Sequence, residues 1–593
     1  MSFAKLKATR QVKQSYVTSN TLPTSPESSA VPSEAVHQHA EQTENIYKSI
    51  PEYLEIRTSP TSGRGLWTTK PCNPGQVILA VKPHAAALSN ERLDLHCSQC
   101  FGEGNHASLK RCTKCQAVYY CDSTCQNADW PLHKNECVAL QRILASGETS
   151  IPSEAIRCLG RIMWKRQKQG PLSAWTREID LLQSHTKDIE PAAYELHAHL
   201  AISLVRYLGL SSPSEIASFG MASGADLANF VSRFVTNTFT ITDPSLTPLG
   251  VSVSPPVALI NHSCDPNAVV VFPRSRPNTQ EPLMQVIALR DIVAGEEILT
   301  AYIDTTLPKA LRQASLRETY LFSCACALCT SAAPVDPRES VWCPKACGGM
   351  CPTPTEENSL SQCTKCRAVL QKTDEVLDAV RIGQQALDKA TLLQFSDPAK
   401  SKQLSSKLVP ILASAGATPS SHPLLALTRL HTALLIADLH HPQSQSQSDA
   451  PTTPTPTPTE AQAALDEAIV AATKAVAGLE GVLRYGHPVR GIARAELGKL
   501  LAVDEPAPRA PGTAAEEALR YPPSGVKRLR LALETLVQAR GELGVGFGPP
   551  NEGGVVGRSV RDDIVRLERE LAVWKKGLGE ALRDAKEAKT GLS

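Results

Sequence analysis

The chain lacks any excess of charge. Its 593 residues carry 61 Lys and Arg against 59 Asp and Glu, a net charge of +2. A protein that coats nucleic acid by neutralising phosphates needs a strongly basic balance, so that class is disfavoured, although a local basic patch remains compatible. No segment pairs C2H2 spacing with a reading helix, which argues further against direct nucleic-acid binding. No uninterrupted apolar run reaches membrane-spanning length, so no membrane partner is expected. Met1 to Asn20 has no apolar core of signal length. Lys5, Lys7, Arg10 and Lys13 stand there without an acid, a composition that faintly resembles a mitochondrial transit peptide but reads rather as a disordered tail.

What the chain does have is cysteine, 18 in all. In a short chain behind a signal peptide they would form a disulfide scaffold, but neither condition holds. In a reducing compartment, clustered Cys with His reads as zinc.

At this length a single core is excluded and two to four domains are expected. Residues 1–50 are rich in Ser, Thr, Pro and Gln and read as a disordered tail, with order beginning at Tyr53 to Ile56. Gly63-Arg64-Gly65 reads as a tight turn entering a strand, and Gly75 ends a turn before Val77, Ile78 and Leu79. A Cys-rich insert occupies 97–137, and 138–235 reads as helical, with Leu196, Leu200, Leu204 and Leu208 on one face. Strand-like segments return at Phe239–Ile241, Val257–Ile260, Val269–Phe272, Gln285–Leu289 and Glu297–Tyr302. A second Cys-rich region follows within 309–370. Residues 371–593 then read as helical, broken by a Thr-Pro spacer at 442–462. Ile564, Leu567, Leu571, Trp574 and Leu578 form an amphipathic seam. His422-Pro423 and His487-Pro488 each open a helical pattern, a weak echo of paired tetratricopeptide-like helices.

The cysteines fall into three sets. Cys97-x2-Cys100, Cys112-x2-Cys115, Cys121-x3-Cys125 and His133-x3-Cys137 give four ligand pairs, enough for two tetrahedral zinc ions. The segments between them are too small to hold a core, so metal must supply the folding energy. Cys324-x-Cys326-x2-Cys329 is an incomplete tetrahedron, and Cys264 is the candidate fourth ligand. Cys343, Cys347, Cys351, Cys363 and Cys366 offer five thiols for four positions, with Cys351 the spare. That set resembles a zinc-ribbon knuckle, with reduced unliganded thiols as the alternative. Cys72 and Cys158 stand alone and read as core residues.

Cys264 lies in the run Asn261-His262-Ser263-Cys264-Asp265-Pro266-Asn267, answered downstream by Gly295-Glu296-Glu297, Tyr302 and the thiol trio. This combination resembles the SET domain of protein lysine methyltransferases. Tyr120, Gln126, Trp130 and His133 around the first cluster are similar to a MYND finger, so the chain resembles the SET-and-MYND family over roughly 52–330. The resemblance implies an α+β fold. A β-rich SET domain (51–96 and 236–308) would carry an inserted MYND finger (97–137) and helical insert (138–235). A post-SET zinc cap (309–370) and an all-α, tetratricopeptide-like tail (371–593) that walls the substrate cleft would follow. It implies cross-braced zinc, with Cys97, Cys100, Cys121 and Cys125 on one ion and Cys112, Cys115, His133 and Cys137 on the other. Cys264 would close the post-SET site with Cys324, Cys326 and Cys329.

The family's chemistry is methyl transfer from S-adenosylmethionine to a lysine amine. That amine has an ordinary pKa of about 10.4, and a sulfonium nearby favours loss of its proton. Alignment of nitrogen, methyl and sulfur then supplies the rate. By resemblance Tyr302 orients the amine, and Asn261, His262, Asn237 and the Gly63-Arg64-Gly65 turn hold the cofactor. Tyr320 walls the lysine channel and Phe322 stacks near the adenine. Asp304, Glu296 and Glu297 are not an acid/base pair. Glu296 and Glu297 are adjacent and point oppositely on a strand, so they read as a solvated turn with one structural hydrogen bond. The expected substrate is a lysine of a histone or non-histone protein, met by a monomer in the nucleus and/or cytoplasm. Family MYND modules also bind proline-containing peptides, with purely structural zinc as the alternative. The rival reading is an inactive SET/MYND zinc scaffold that binds partner proteins.

Overall fold

The computed structural model describes residues 46–590 except 105–106, 148–149, 187–188, 190, 276, 279, 332, 334, 357–359, 441–456 and 508–519. The expected N-terminal tail up to residue 45 and most of the Thr-Pro spacer lie outside the described residues. The described chain divides into two compact units. One holds the residues up to Ile303 together with Gln313–Cys329, and the other holds Asp304–Arg312 and the residues from Thr330 onward. The stretch read as one cap over 309–370 is thus shared between them.

The first unit opens with β1 (Leu54–Ser59) and β2 (Gly63–Thr68), an antiparallel hairpin in register from Leu54↔Thr68 to Ser59↔Gly63. β3 (Val77–Val81) and β4 (Ala85–Leu88) follow, then the short pair β5 (Lys110–Arg111) and β6 (Tyr119–Tyr120) inside the Cys-rich insert. Six helices come next: α1 (Ser123–Ala145), α2 (Glu154–Gln169), α3 (Ala174–Asp180), α4 (Pro191–Leu208), α5 (Pro213–Ala217) and α6 (Gly224–Thr236). Their starts are written in the sequence. Asp122, Ser153, Ser173 and Ser223 each cap a helix by accepting a hydrogen bond from a backbone N–H of the first turn.

The remaining elements are β7 (Thr238–Thr242), β8 (Pro248–Val253), α7 (Pro255–Ala258), β9 (Asn261–His262), β10 (Ala268–Val271), β11 (Met284–Ala288) and β12 (Leu299–Thr300). They are followed by α8 (Lys309–Tyr320) and α9 (Ala327–Thr330). β4-β8-β7 and β10-β11-β3 are antiparallel sheets, and β9 pairs with β12 in parallel. Just before β12, residues 295–298 bond along β2 through Gly295 N–H to Thr68, Thr68 N–H to Glu296 and Ile298 N–H to Leu66. One segment therefore bonds β2 and then β9, and brings Gly65 next to Asn261.

Three expectations change. Val257–Ile260 is not a strand. Pro255 and Pro256 occupy the first turn of α7, where their fixed φ and missing N–H favour a helix start. Order begins before Tyr53, because Ile46 and Tyr47 are already buried. The leucine row on α4 is not one face. Leu204 is 0% exposed but Leu196 is 50% exposed, since steps of four advance about 40° each around a helix of 3.6 residues per turn.

In the second unit β13 (Ser340–Trp342) pairs with β14 (Met350–Pro352) beside the third Cys set. Then come α10 (Thr373–Leu393), α11 (Pro398–Ser414), α12 (Leu424–His440), α13 (Pro458–Glu480), α14 (Pro488–Leu501), α15 (Gly525–Gly546) and α16 (Gly554–Thr590). Each packs on the next in sequence. α13 starts on a capping box, Thr457 with Glu460, with Pro458 in the first turn. Among the described positions of the α16 seam, burial is confined to its start, and Leu578 lies outside them. Ile564 and Leu567 lie in the core, whereas Trp574 is 53% exposed. Among the described residues no helix is long and apolar enough to cross a membrane.

Candidate functional site: four thiol clusters and an aromatic cluster

The structure brings the metal-ligand candidates into four tetrads. These are Cys97, Cys100, Cys121 and Cys125; Cys112, Cys115, His133 and Cys137; Cys264, Cys324, Cys326 and Cys329; and Cys343, Cys347, Cys363 and Cys366. Within each, the ligand atoms lie within 4.8 Å of one another. The spacing fits zinc. A Zn–S bond of about 2.3 Å puts the corners of a tetrahedron about 3.8 Å apart. The Cys100–Cys121, Cys112–Cys137 and Cys264–Cys329 sulfurs stand 3.6, 3.9 and 3.5 Å apart. In the last tetrad Cys343–Cys366 and Cys347–Cys363 stand at 3.4 and 3.5 Å. Cys351 is outside the tetrad, buried on β14, and burial pushes its thiol up to about 11. Side by side, such thiols cannot all ionise. The hydrogen bond from Cys97 pulls Cys100 down to about 5, while Cys97 itself is driven far up. A dication would let all four be thiolates.

A second layer, absent from the sequence reading, supports the His133 tetrad. His133 Nδ1 donates to Glu136 at 3.2 Å, which leaves Nε2 facing the Cys115 sulfur at 3.6 Å. Arg161 of α2 bonds both Glu136 and Asp129, and the Tyr120 hydroxyl donates to Asp129 at 2.9 Å. Such a carboxylate fixes the imidazole tautomer that presents a lone pair to metal.

The third tetrad borders an aromatic cluster. The Tyr302 ring lies 5.3 Å from His262, 5.0 Å from Tyr320 and 6.4 Å from Phe322, measured between centroids. Tyr302 is held at each end. Its N–H donates to His262 Nδ1 at 3.0 Å and its hydroxyl to the Ile260 carbonyl at 2.6 Å. The Tyr320 hydroxyl reaches the Tyr302 carbonyl at 3.4 Å. Burial, aided by neighbouring Tyr320 and Glu297, pushes the Tyr302 pKa above the ordinary phenol value, so it is a neutral hydrogen-bonding group.

The remaining cofactor candidates occupy a second focus. The Asn261 amide donates to the Arg64 carbonyl at 3.2 Å and to Glu297 at 2.8 Å. Burial raises the Glu297 pKa, with the Asn261 bond opposing it. Glu296 accepts from Asn267, Arg290 and the Val293 N–H. The expectation of a solvated turn with one structural bond is therefore corrected: both carboxylates tie the 295–302 segment in place. Gly65 is needed for room. A Cβ there would stand 2.8 Å from the Asn261 amide nitrogen and closer still to Glu297. Gly63 has φ +70°, which only glycine adopts without strain, and only Gln183 lies within 4 Å of the side chain it lacks.

Arg64 donates to the Leu181 carbonyl at 2.5 Å, and the Asn237 amide to the Gln183 carbonyl at 2.9 Å and to Arg233 at 2.8 Å. The amide nitrogens of Asn237 and Asn261 thus hold protein carbonyls or a carboxylate, as does the Arg64 guanidinium. The loop 181–185, with His185 at φ +51°, joins this focus and was missed in the sequence. Its signal was faint, since nothing marks Leu-Leu-Gln-Ser-His as a motif.

Residues 63–303 match the family model "SET domain". The chain is 35% identical over 284 residues to Histone-lysine N-methyltransferase ASHR1 of Arabidopsis thaliana, covering 47% of this chain and 55% of that protein. It is 32% identical over 283 residues to N-lysine methyltransferase SMYD2-B of Xenopus laevis, covering 47% and 61%. The chain therefore spans little more than half the length of the curated relatives it matches. A solved SET domain of LSMT bound to lysine and AdoHcy aligns over 90% of this chain and 93% of that one, at 14% identity and a TM-score of 0.28, too low to carry weight. Residues 63–303 thus carry a SET domain, and over this region the chain is similar to the N-lysine methyltransferases named above.

Proposed function

We propose that this chain transfers a methyl group from S-adenosylmethionine to the side-chain nitrogen of a protein lysine. One observation carries the reading: Tyr302, fastened at both ends, stands against His262 inside a wall of Tyr320 and Phe322. The cofactor fits the second focus. The Gly63-Arg64-Gly65 turn, the 181–185 loop, and the Asn261 and Asn237 residues border it, and Phe322, which packs against His262, is assigned to the adenine. When bound, the cofactor supplies an electrophilic methyl on a sulfonium. Tyr302 stays a neutral phenol and orients the amine. The rings of Tyr320 and Phe322 exclude water, which favours the uncharged amine. Alignment rather than acid/base chemistry supplies the rate.

In this reading the first two tetrads form a MYND finger that takes structural zinc and offers a surface for proline-containing peptides. The third is a post-SET clasp, the fourth a zinc-ribbon knuckle, and the helical array a tetratricopeptide-like tail. Histone or non-histone lysines are the substrate, met by a monomer in the nucleus and/or cytoplasm. The test is transfer of labelled methyl from S-adenosylmethionine to histones and to cell-extract proteins. Tyr302→Phe should lower kcat by at least about tenfold while cofactor binding persists. No transfer to any substrate, with no cofactor binding by calorimetry, would leave a zinc scaffold instead.

A further inference from the structure

The side chain of His262 does something other than touch cofactor. Its Nδ1 lies 3.0 Å from the Tyr302 backbone nitrogen, and its Nε2 lies 3.3 Å from the Cys264 sulfur. A backbone N–H can only donate, so Nδ1 must be the acceptor and the ring proton sits on Nε2. That proton points at Cys264. Cys264 in turn stands 3.5 Å from Cys329 in a tetrad whose spacing suits zinc. A zinc-bound thiolate is a strong acceptor for one such N–H.

We infer that His262 is a positioning residue that transmits the state of the Cys264 thiolate to Tyr302. Three features of the strand pair make the link stiff. β9 and β12 are in register at His262↔Thr300, and Ser263 N–H bonds the Thr300 carbonyl at 2.9 Å. The imidazole packs against both Tyr302 and Phe322, with centroids 5.3 and 6.0 Å away. Ile260, two residues before His262, takes the Tyr302 hydroxyl. Rotation of the imidazole would therefore cost both hydrogen bonds and the ring contacts together. Any contact of this residue with cofactor falls to its backbone. The inference rests on the proposed role of Tyr302, but its metal arm can be read without turnover.

Two variants separate the two bonds. His262→Asn keeps an acceptor near the Nδ1 position and removes the donor to Cys264. His262→Gln keeps a donor near Nε2 and removes the acceptor for Tyr302. In cobalt-substituted protein, the wild-type-minus-variant difference spectrum should show a shifted thiolate-to-cobalt band for Asn and none for Gln. Metal release from the third tetrad to a chelator should speed by about 10–100-fold for Asn only. Gln should lower kcat with the substrate KM unchanged. Equal behaviour of the two variants in band and release rate would overturn the inference. So would nitrogen chemical shifts of the wild-type His262 ring that place its proton on Nδ1, whatever the variants do. If the chain methylates nothing, the kcat arm falls with the proposed function, while the spectral and release arms still decide the link.

Discussion

At the scale of single residues, the site depends on what Gly65 leaves out. The volume its missing side chain frees is filled by the Asn261 amide and the Glu297 carboxylate, which bond at 2.8 Å. Gly65→Ala should push that pair apart and leave a half-buried carboxylate without its donor. A loss of about 1–3 kcal/mol is expected. Chemical denaturation should show it, and calorimetry should show weaker S-adenosylmethionine binding. The family resemblance placed Gly65 in a turn that holds the cofactor, but the neighbours of its missing side chain are protein. That could not be read in advance, because Asn261 and Glu297 lie 36 residues apart and meet only once 295–302 is laid between β2 and β9. The metal tetrads were legible for the opposite reason. Most ligands come in pairs two to four residues apart, which local chain geometry converges, whereas which pairs share an ion followed from the family resemblance.

At the scale of elements, α14 offers a pH probe. His487 is its cap: Nδ1 accepts from the Val489 N–H at 3.3 Å, and Pro488 follows in the first turn. Burial lowers the His487 pKa to about 4, with Asp304 opposing and Arg429 assisting. Only the neutral ring can accept that bond, and a cation would face the positive end of the helix. The folded pKa is below the ordinary value of about 6.5, so on acidification the unfolded chain takes up its proton first. The contribution is complete above pH 6.5 and is lost as pH falls toward 4. It amounts to at most about 3 kcal/mol. Denaturation of the protein at pH 7 and pH 5 should show the drop, and His487→Asn, a cap that does not titrate, should flatten it. The His-Pro signature announced this helix start. The apolar run Val257–Ile260 misled because a short apolar stretch does not distinguish strand from helical turn. The preceding Pro255-Pro256 was the better guide.

At the scale of the whole molecule, the metal content is the sharpest expectation. Metal analysis should give four zinc ions per chain, one for each tetrad. Cys363→Ser should lower the count to three, whereas Cys351→Ser should leave it at four, since that thiol lies outside the fourth tetrad. The helical half was legible as helical, because caps and periodicity are local signals. The division of 309–370 between two units was not. It depends on which core each part joins, and α8 begins in one and ends in the other.

The inventory of sulfur leaves little to chance encounters. Of the 18 cysteines, 15 belong to the tetrads, and Cys72, Cys158 and Cys351 are sealed in the interior. With the tetrads loaded, no cysteine is left as an exposed, unliganded thiol. An oxidant then has only tetrad sulfurs to attack, and on the inferred link oxidation within the Cys264 group would release its ion and loosen Tyr302 together.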